Sequence, residues 1–236
     1  MQERAYRAQN RTLRDAARDL GAARDGPVLM KTLDRIVRIS RRAETPLAID
    51  GFAAQLQRRA ASDRISGRRT AIPRAAAKLR TALARVAAWP PPGKGWRLVR
   101  KGLRQTYRKG RHAARANDAS PTSASLHEWR KRAKYLRNQL EIIAPVEHAS
   151  LSVMLEELHS LTSRLGEDHD LAVRSGLVRQ HGPPLDEDSR WSLLGVIQQR
   201  RKKLQKKAVA TGTALFAEQP AHFDARLRRY FRHWPE

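Results

Sequence analysis

Apolar residues in this chain recur at spacings of three and four, and almost no stretch alternates apolar with polar in the two-residue rhythm of a half-buried strand. The helical period predicts segments over roughly residues 2–20, 26–42, 47–65, 73–89, 96–117, 124–144, 148–165, 170–180, 187–213 and 221–233. The clearest is the run from Leu126. Wound at about 100° per residue, Leu126, Trp129, Ala133, Leu136, Leu140 and Ile143 share one arc. His127, Arg130, Lys131, Lys134 and Arg137 occupy the arc beside it, so one helix carries a core seam with a basic stripe at its margin. Two further helices carry cation ladders with one charge per turn. Arg4, Arg7, Arg11, Arg14 and Arg18 lie opposite Tyr6, Leu13, Ala16, Ala17 and Leu20. Arg97, Arg100, Lys101, Arg104, Arg108, Arg111 and Arg115 line one side of the helix from Trp96.

Local residues account for the expected breaks. Gly21 and Gly166 each follow a leucine at the end of a periodic run, the position of a left-handed helix stop. Asp25 and Asp170 stand where an N-cap would start the next helix. Pro73 suits a first helical turn, where its missing N–H does no harm. Pro90, Pro91, Pro92 and Gly93 read as a linker that divides a first half, residues 1–92, from a second, residues 93–236.

Leu20 to Val28 resembles Leu165 to Val173 at an offset of 145, with Leu13 matching Leu158. Duplication of a helical bundle is the simplest account. At that offset the counterpart of the helix from Leu126 would fall before Met1, so either the first half has lost its leading helix or the sequence is a truncated form. The expected fold class is all-α.

Charge changes what these helices are expected to do. The chain carries 48 Lys and Arg against 23 Asp and Glu, a formal net charge of +25. Solubility asks for a magnitude of only about 2 to 8 in a small domain. Like charges one turn apart repel by a few tenths of a kcal/mol per pair, so a helix built for stability alone would interleave acids. The helix from Trp96 has no acid before Asp118, and the first ladder has only Asp15 and Asp19 near it. Such stripes attract polyanions, and the excess of Arg, whose planar fork meets two oxygens at once, favours phosphate.

There is no cysteine, hence no disulfide, thiolate metal site or thiol nucleophile. The N-terminus lacks a secretory apolar core, and no apolar run reaches the roughly 20 residues of a membrane span. A cytoplasmic protein is expected.

Candidate chemistry is sparse. His127 can serve as a core histidine, a base or a phosphate ligand; its cationic neighbours favour the last, and only Glu128 or Glu141 could orient it as a base. Glu167-Asp168-His169-Asp170 has metal-ligand residue types, yet adjacent turn residues seldom converge on one ion, so no metal is expected. Gly93-Lys94-Gly95 lacks the remainder of a phosphate-binding loop. No nucleophile–base constellation or paired carboxylates appear, so no enzyme and no cofactor are expected.

His127-Glu128-Trp129-Arg130-Lys131-Arg132-Ala133-Lys134-Tyr135-Leu136-Arg137, followed by Leu140-Glu141, resembles the signature of the CHAD family, the conserved histidine α-helical domain. The Leu-Gly-x-x-x-Asp-x-x-Val elements at Leu20 and Leu165 resemble the pair in that family's two halves. The resemblance implies two helical bundles about a pseudo-twofold axis, with a basic groove or pore between them that holds inorganic polyphosphate. It places the family's histidine on His127 and its basic positions on Arg130, Lys131, Lys134 and Arg137. From periodicity, Arg7, Arg11, Arg14, Arg18, Arg100, Arg104, Arg108 and Arg111 join the polyphosphate-binding set. The partner expected is inorganic polyphosphate, at polyphosphate granules. The alternative is a nucleic-acid binder using the same surface, against which stand few aromatic residues for base stacking and no recognition helix.

Overall fold

A computed structural model of the chain describes residues 4–21, 70–86, 88, 95–146, 148–180 and 187–231. All the described elements are helical. Residues 4–21 form α1 and residues 70–86 form α2. They are followed by α3 (Trp96–Ala119), α4 (Ser123–Ile143), a 3₁₀ turn (Ala144–Val146), α5 (His148–Gln180), α6 (Glu187–Leu215) and α7 (Pro220–Tyr230). The helices expected over 26–42 and 47–65, the cap at Asp25 and the linker at Pro90–Gly93 lie outside the described residues. No helix among the described residues is long and apolar enough to cross a membrane.

The chain forms two compact units: Met1–Pro92 with Val178–Val196, and Gly93–Leu177 with Ile197–Glu236.

In the first unit α1 meets α2 through small residues. Ala16, Ala71, Ala75 and Ala82 are buried. The buried Gln9 Nε2 donates to the Ala82 carbonyl at 2.7 Å, and Lys78 pairs with Asp19 at 2.7 Å. The large apolar residues expected opposite the arginine ladder stay exposed instead, Tyr6 at 49%, Leu13 at 44% and Leu20 at 39%. The buried positions on these two helices are small residues and Gln9, a narrower arc than the periodic pattern suggests. Helix α2 already runs at Thr70, which puts Pro73 past the first residue described as helical.

The second unit holds the large core. On α4 the buried positions are Leu126, Trp129, Ala133, Leu136, Leu140 and Ile143, the six seam residues. They pack with Leu103 and Tyr107 of α3, Leu158, Leu161 and Leu165 of α5, and Phe223 and Leu227 of α7. Tyr107 stacks on Phe223 at 4.0 Å between centroids, and its hydroxyl donates to the Glu218 carbonyl at 3.0 Å. A capping box starts α4: Thr122 Oγ1 accepts from the Ser125 N–H at 3.0 Å, and Ser125 Oγ accepts from the Thr122 N–H at 2.9 Å. The Trp129 indole lies against Gly212 of α6, where no Cβ could fit.

The expected break at Gly166 does not occur. Helix α5 runs through Gly166 and Asp170 without interruption, so Gly166 is not a stop and Asp170 is not an N-cap. Among the described glycines only Gly95 has positive φ, 60°, so Gly21 does not adopt a left-handed conformation either. At Gly166 the α5 backbone lies close under the Arg130 side chain. A Cβ there would stand 3.2 Å from Arg130 Nε and 3.3 Å from Nη2.

Candidate functional site

The α4 stripe lies along the seam between α4 and α5. His127, Arg130, Lys131, Lys134 and Arg137 are all half-buried, as residues flanking a core seam on a packed helix should be. Three of them reach α5. The His127 ring meets the His169 ring at 4.5 Å between centroids, tilted by 39°. The Arg130 guanidinium lies over Gly166. Arg137 Nη1 donates to Thr162 Oγ1 at 3.3 Å and sits 3.4 Å from His159 Nδ1. One face of α5, His159, Thr162, Gly166 and His169, therefore opposes the stripe; its spacing of three, four and three is helical.

Carboxylates on α4 itself hold three of its cations, two of them in the stripe. Lys131 Nζ pairs with Glu128 at 2.6 Å, Arg132 takes the other oxygen of that carboxylate, and Arg137 Nε pairs with Glu141 at 3.1 Å. Lys131, and then Arg132, hold the Glu128 carboxyl below the usual carboxylate range against the opposing effect of burial. His127 is pushed the other way from an ordinary acid–base pair. Burial lowers its pKa first, followed by the neighbouring His169 and the positive charges of Lys131 and Arg130, with only Glu128 opposing them. Its Nδ1 is buried and makes no hydrogen bond. Among the described residues no acid is placed to orient this imidazole as a base, whereas incoming negative charge would relieve its surroundings.

The other ladders are placed elsewhere. On α3, Arg100 grips the buried Asp224 of α7, with Nε at 2.9 Å and Nη2 at 2.9 Å from Oδ2, and Arg111 Nε donates to the Phe216 carbonyl at 3.0 Å. These two arginines tie α3 to α7 and to the turn before it. Arg97, Arg100, Lys101, Arg104 and Arg108 line a cavity of about 780 Å³ with Gln219, Pro220 and Ala221. The α3 ladder thus borders α7 while the α4 stripe borders α5. The two are not brought together. Arg7, Arg11, Arg14 and Arg18 are exposed on α1 in the first unit, where Arg18 pairs with Asp15 at 3.1 Å.

The acidic run after Gly166 serves packing. Arg200 Nη2 pairs with Glu167 at 2.8 Å. Arg201 Nε donates to Asp168 Oδ1 at 3.0 Å and Gln205 Nε2 donates to the same oxygen at 2.8 Å, on a carboxylate that is almost fully buried. The contacts of His159, Thr162 and His169 with the stripe were not foreseen from the sequence. Their signal was the helical spacing across Gly166, which the expected break concealed.

No curated protein and no solved structure matches this chain. Residues 1–179 match the CHAD domain, a span that contains the α4 stripe and the whole α5 face opposite it. The chain, three-quarters of which the match covers, belongs to the CHAD family.

Proposed function

We propose that the α4–α5 seam binds inorganic polyphosphate without transforming it. The observation that carries this reading is the half-buried row of His127, Arg130, Lys131, Lys134 and Arg137 on α4, three of which meet α5, in a CHAD domain. A phosphate chain is flexible and presents charge along its whole length, so a row of cations on successive turns can follow it without base-reading groups. Arg130 and Arg137 offer forks for bidentate contact, Lys131 and Lys134 offer point charges, and His127 offers a ring N–H. Affinity then comes from released counterions together with charge-assisted hydrogen bonds.

The duplicated architecture, with a groove between related bundles, belongs to the same proposal. Ala16 and Leu161, Ala71 and Phe216, and Ala82 and Leu227 are pairs of buried residues separated by the repeat offset of 145. The cytoplasm, at polyphosphate granules, is the location this ligand suggests.

The test is a titration with long-chain polyphosphate, duplex DNA and RNA at several salt concentrations. Polyphosphate should bind tightest at equal phosphate concentration near physiological salt. Displacement of polyphosphate by DNA under those conditions would refute the proposal in favour of nucleic acid. Arg130→Glu, Lys134→Glu and Arg137→Glu together should weaken binding and leave helicity unchanged; unchanged affinity would place the ligand elsewhere.

A further inference from the structure

Helix α6 carries a cation cluster that borders neither the α4 stripe nor the α3 ladder. From Ser189 to Leu215 its sequence contains no acid, yet it includes Arg200, Arg201, Lys202, Lys203, Lys206 and Lys207. Arg201 turns inward to the buried Asp168. Arg200, Lys203, Lys206 and Lys207 instead line a cavity of about 550 Å³ between α5 and α6, floored by Leu204 and Ala210. Helix α5 contributes Arg164 and Glu167 to the same cavity.

Two of the cations are positioned by neutral or acidic neighbours. Arg164 Nη1 donates to Thr211 Oγ1, and Arg200 is held by Glu167 through Nε and Nη2, both at 2.8 Å. The three lysines are exposed, and no ion pair holds them among the described residues. Five cations thus share one concave space with a single carboxylate. Lys203 with Lys206 and Lys203 with Lys207 stand three and four residues apart on one helix, a spacing at which like charges repel by a few tenths of a kcal/mol per pair. A helix selected only to pack would not concentrate them on the rim of a cavity. Packing on this stretch of α6 is already supplied by Leu204 and Ala208.

We infer that the α5–α6 cavity is a second anion site, taking a short run of phosphates. Its cations are clustered around a small volume, not strung along a seam. A compact anion with several charges a few ångströms apart satisfies such a cluster better than a peptide, whose carboxylates are spread along a backbone. Arg164 and Arg200 provide guanidinium edges and the lysines provide mobile point charges. The inference stands on these residues and does not depend on the α4–α5 seam. A free inorganic oligophosphate and the phosphates of a nucleotide offer the same chemistry.

Lysine footprinting on the full chain tests it. The protein is acetylated with an amine-reactive ester, alone and with tripolyphosphate, with ATP, or with sodium sulfate at matched ionic strength, and each lysine is read by mass spectrometry. Lys202, on the same helix but outside the cavity lining, is the internal control. With ligand at about ten times its Kd, labelling of Lys203 and Lys207 should fall roughly tenfold relative to Lys202. Protection by tripolyphosphate but not ATP assigns an inorganic ligand; comparable or stronger protection by ATP assigns a nucleotide. Lack of protection by both overturns the site, and so does equal protection by sulfate. Repeating the experiment on Arg130→Glu/Lys134→Glu separates the two readings. Protection should persist there while long-chain polyphosphate affinity falls. Lost protection in that variant would overturn the second site, whereas retained long-chain affinity would defeat only the α4–α5 proposal.

Discussion

Gly166→Ala distinguishes a continuous α5 from a helix that stops at its glycine. In the interior of a helix the exchange of glycine for alanine contributes about 0.8–1 kcal/mol, because glycine loses more backbone freedom on folding. Against that gain stands the new Cβ, which would come within 3.2 Å of Arg130 Nε and 3.3 Å of Nη2. The neighbour is the far end of a long side chain, so it can retreat by a few tenths of an ångström at a cost below about 0.5 kcal/mol, under that of a full off-rotamer torsion. The balance is a stabilisation of about 0.5 kcal/mol. A glycine in the left-handed region would behave oppositely, losing roughly 1–2 kcal/mol on replacement. Urea denaturation followed by helical circular dichroism reads the difference directly. Polyphosphate titration of the same variant reads the displaced guanidinium, whose weakened hydrogen bond should cost about 0.5–1 kcal/mol, or two- to fivefold in affinity. Destabilisation by 1 kcal/mol or more would refute the continuous-helix argument. Unchanged affinity would refute the placement of Arg130 against the ligand.

Other perturbations test the packing and the charge around this site. Gly212→Ala should destabilise by about 1–3 kcal/mol in the same denaturation assay, since its Cβ would meet the rigid Trp129 indole, which has no room to withdraw. Asp168→Ala should cost about 3–5 kcal/mol, because it strands Arg201, only 13% exposed, without a counter-charge; a loss below 1 kcal/mol would mean that Arg201 finds water instead. The lowered pKa of His127 makes stability and binding respond to pH in opposite senses. Between its folded value and the ordinary value of about 6.5, the unfolded chain holds more protons, so stability falls as pH drops through that window. Bound polyphosphate favours the imidazolium, so affinity should rise over the same window with proton uptake, measurable by calorimetry in buffers of different ionisation enthalpy and absent in His127→Gln.

How much of this was legible in the sequence depended on whether one helix could decide the matter alone. For α4 it could: six large or small apolar residues on one arc left a single way to bury the helix, and the stripe beside them had to border the core. For α5 it could not. A glycine after a leucine ordinarily reads as a stop, yet α5 continues through Gly166, with the Arg130 side chain from α4 lying against it. With the break assumed, His159 and Thr162 fell on one predicted helix and His169 in the break after it, so the three could not be seen as one face. On α1 periodicity marks Tyr6, Leu13 and Leu20 as the core side together with Ala16, but only Ala16 of these is buried, beside Gln9, which bonds to α2. Close approach of backbones is a property of the pair, which periodicity in one helix does not report.

The same distinction sorts the cations, which composition treats alike. Arg100, Arg111 and Arg201 end on a buried carboxylate, a backbone carbonyl and another buried carboxylate, each supplied by a different helix or turn. Removing any of them strands a desolvated acceptor, so their substitution should be read first in stability. Lys131 and Arg137 end on acids of their own helix, Glu128 and Glu141. The Lys131–Glu128 pair stays near water and is worth little to the fold, since exposed pairs one turn apart contribute only about 0.3–0.5 kcal/mol, whereas Arg137 is the more buried of the two cations. Their carboxylates can release the cations to a phosphate chain at small cost. A net charge of +25 therefore overstates the number of cations without a structural partner. On the proposed reading, the part offered to a polyanion is the part whose present partners are cheap to exchange, and that criterion favours the α4 row over the α3 arginines held by Asp224 and the Phe216 carbonyl.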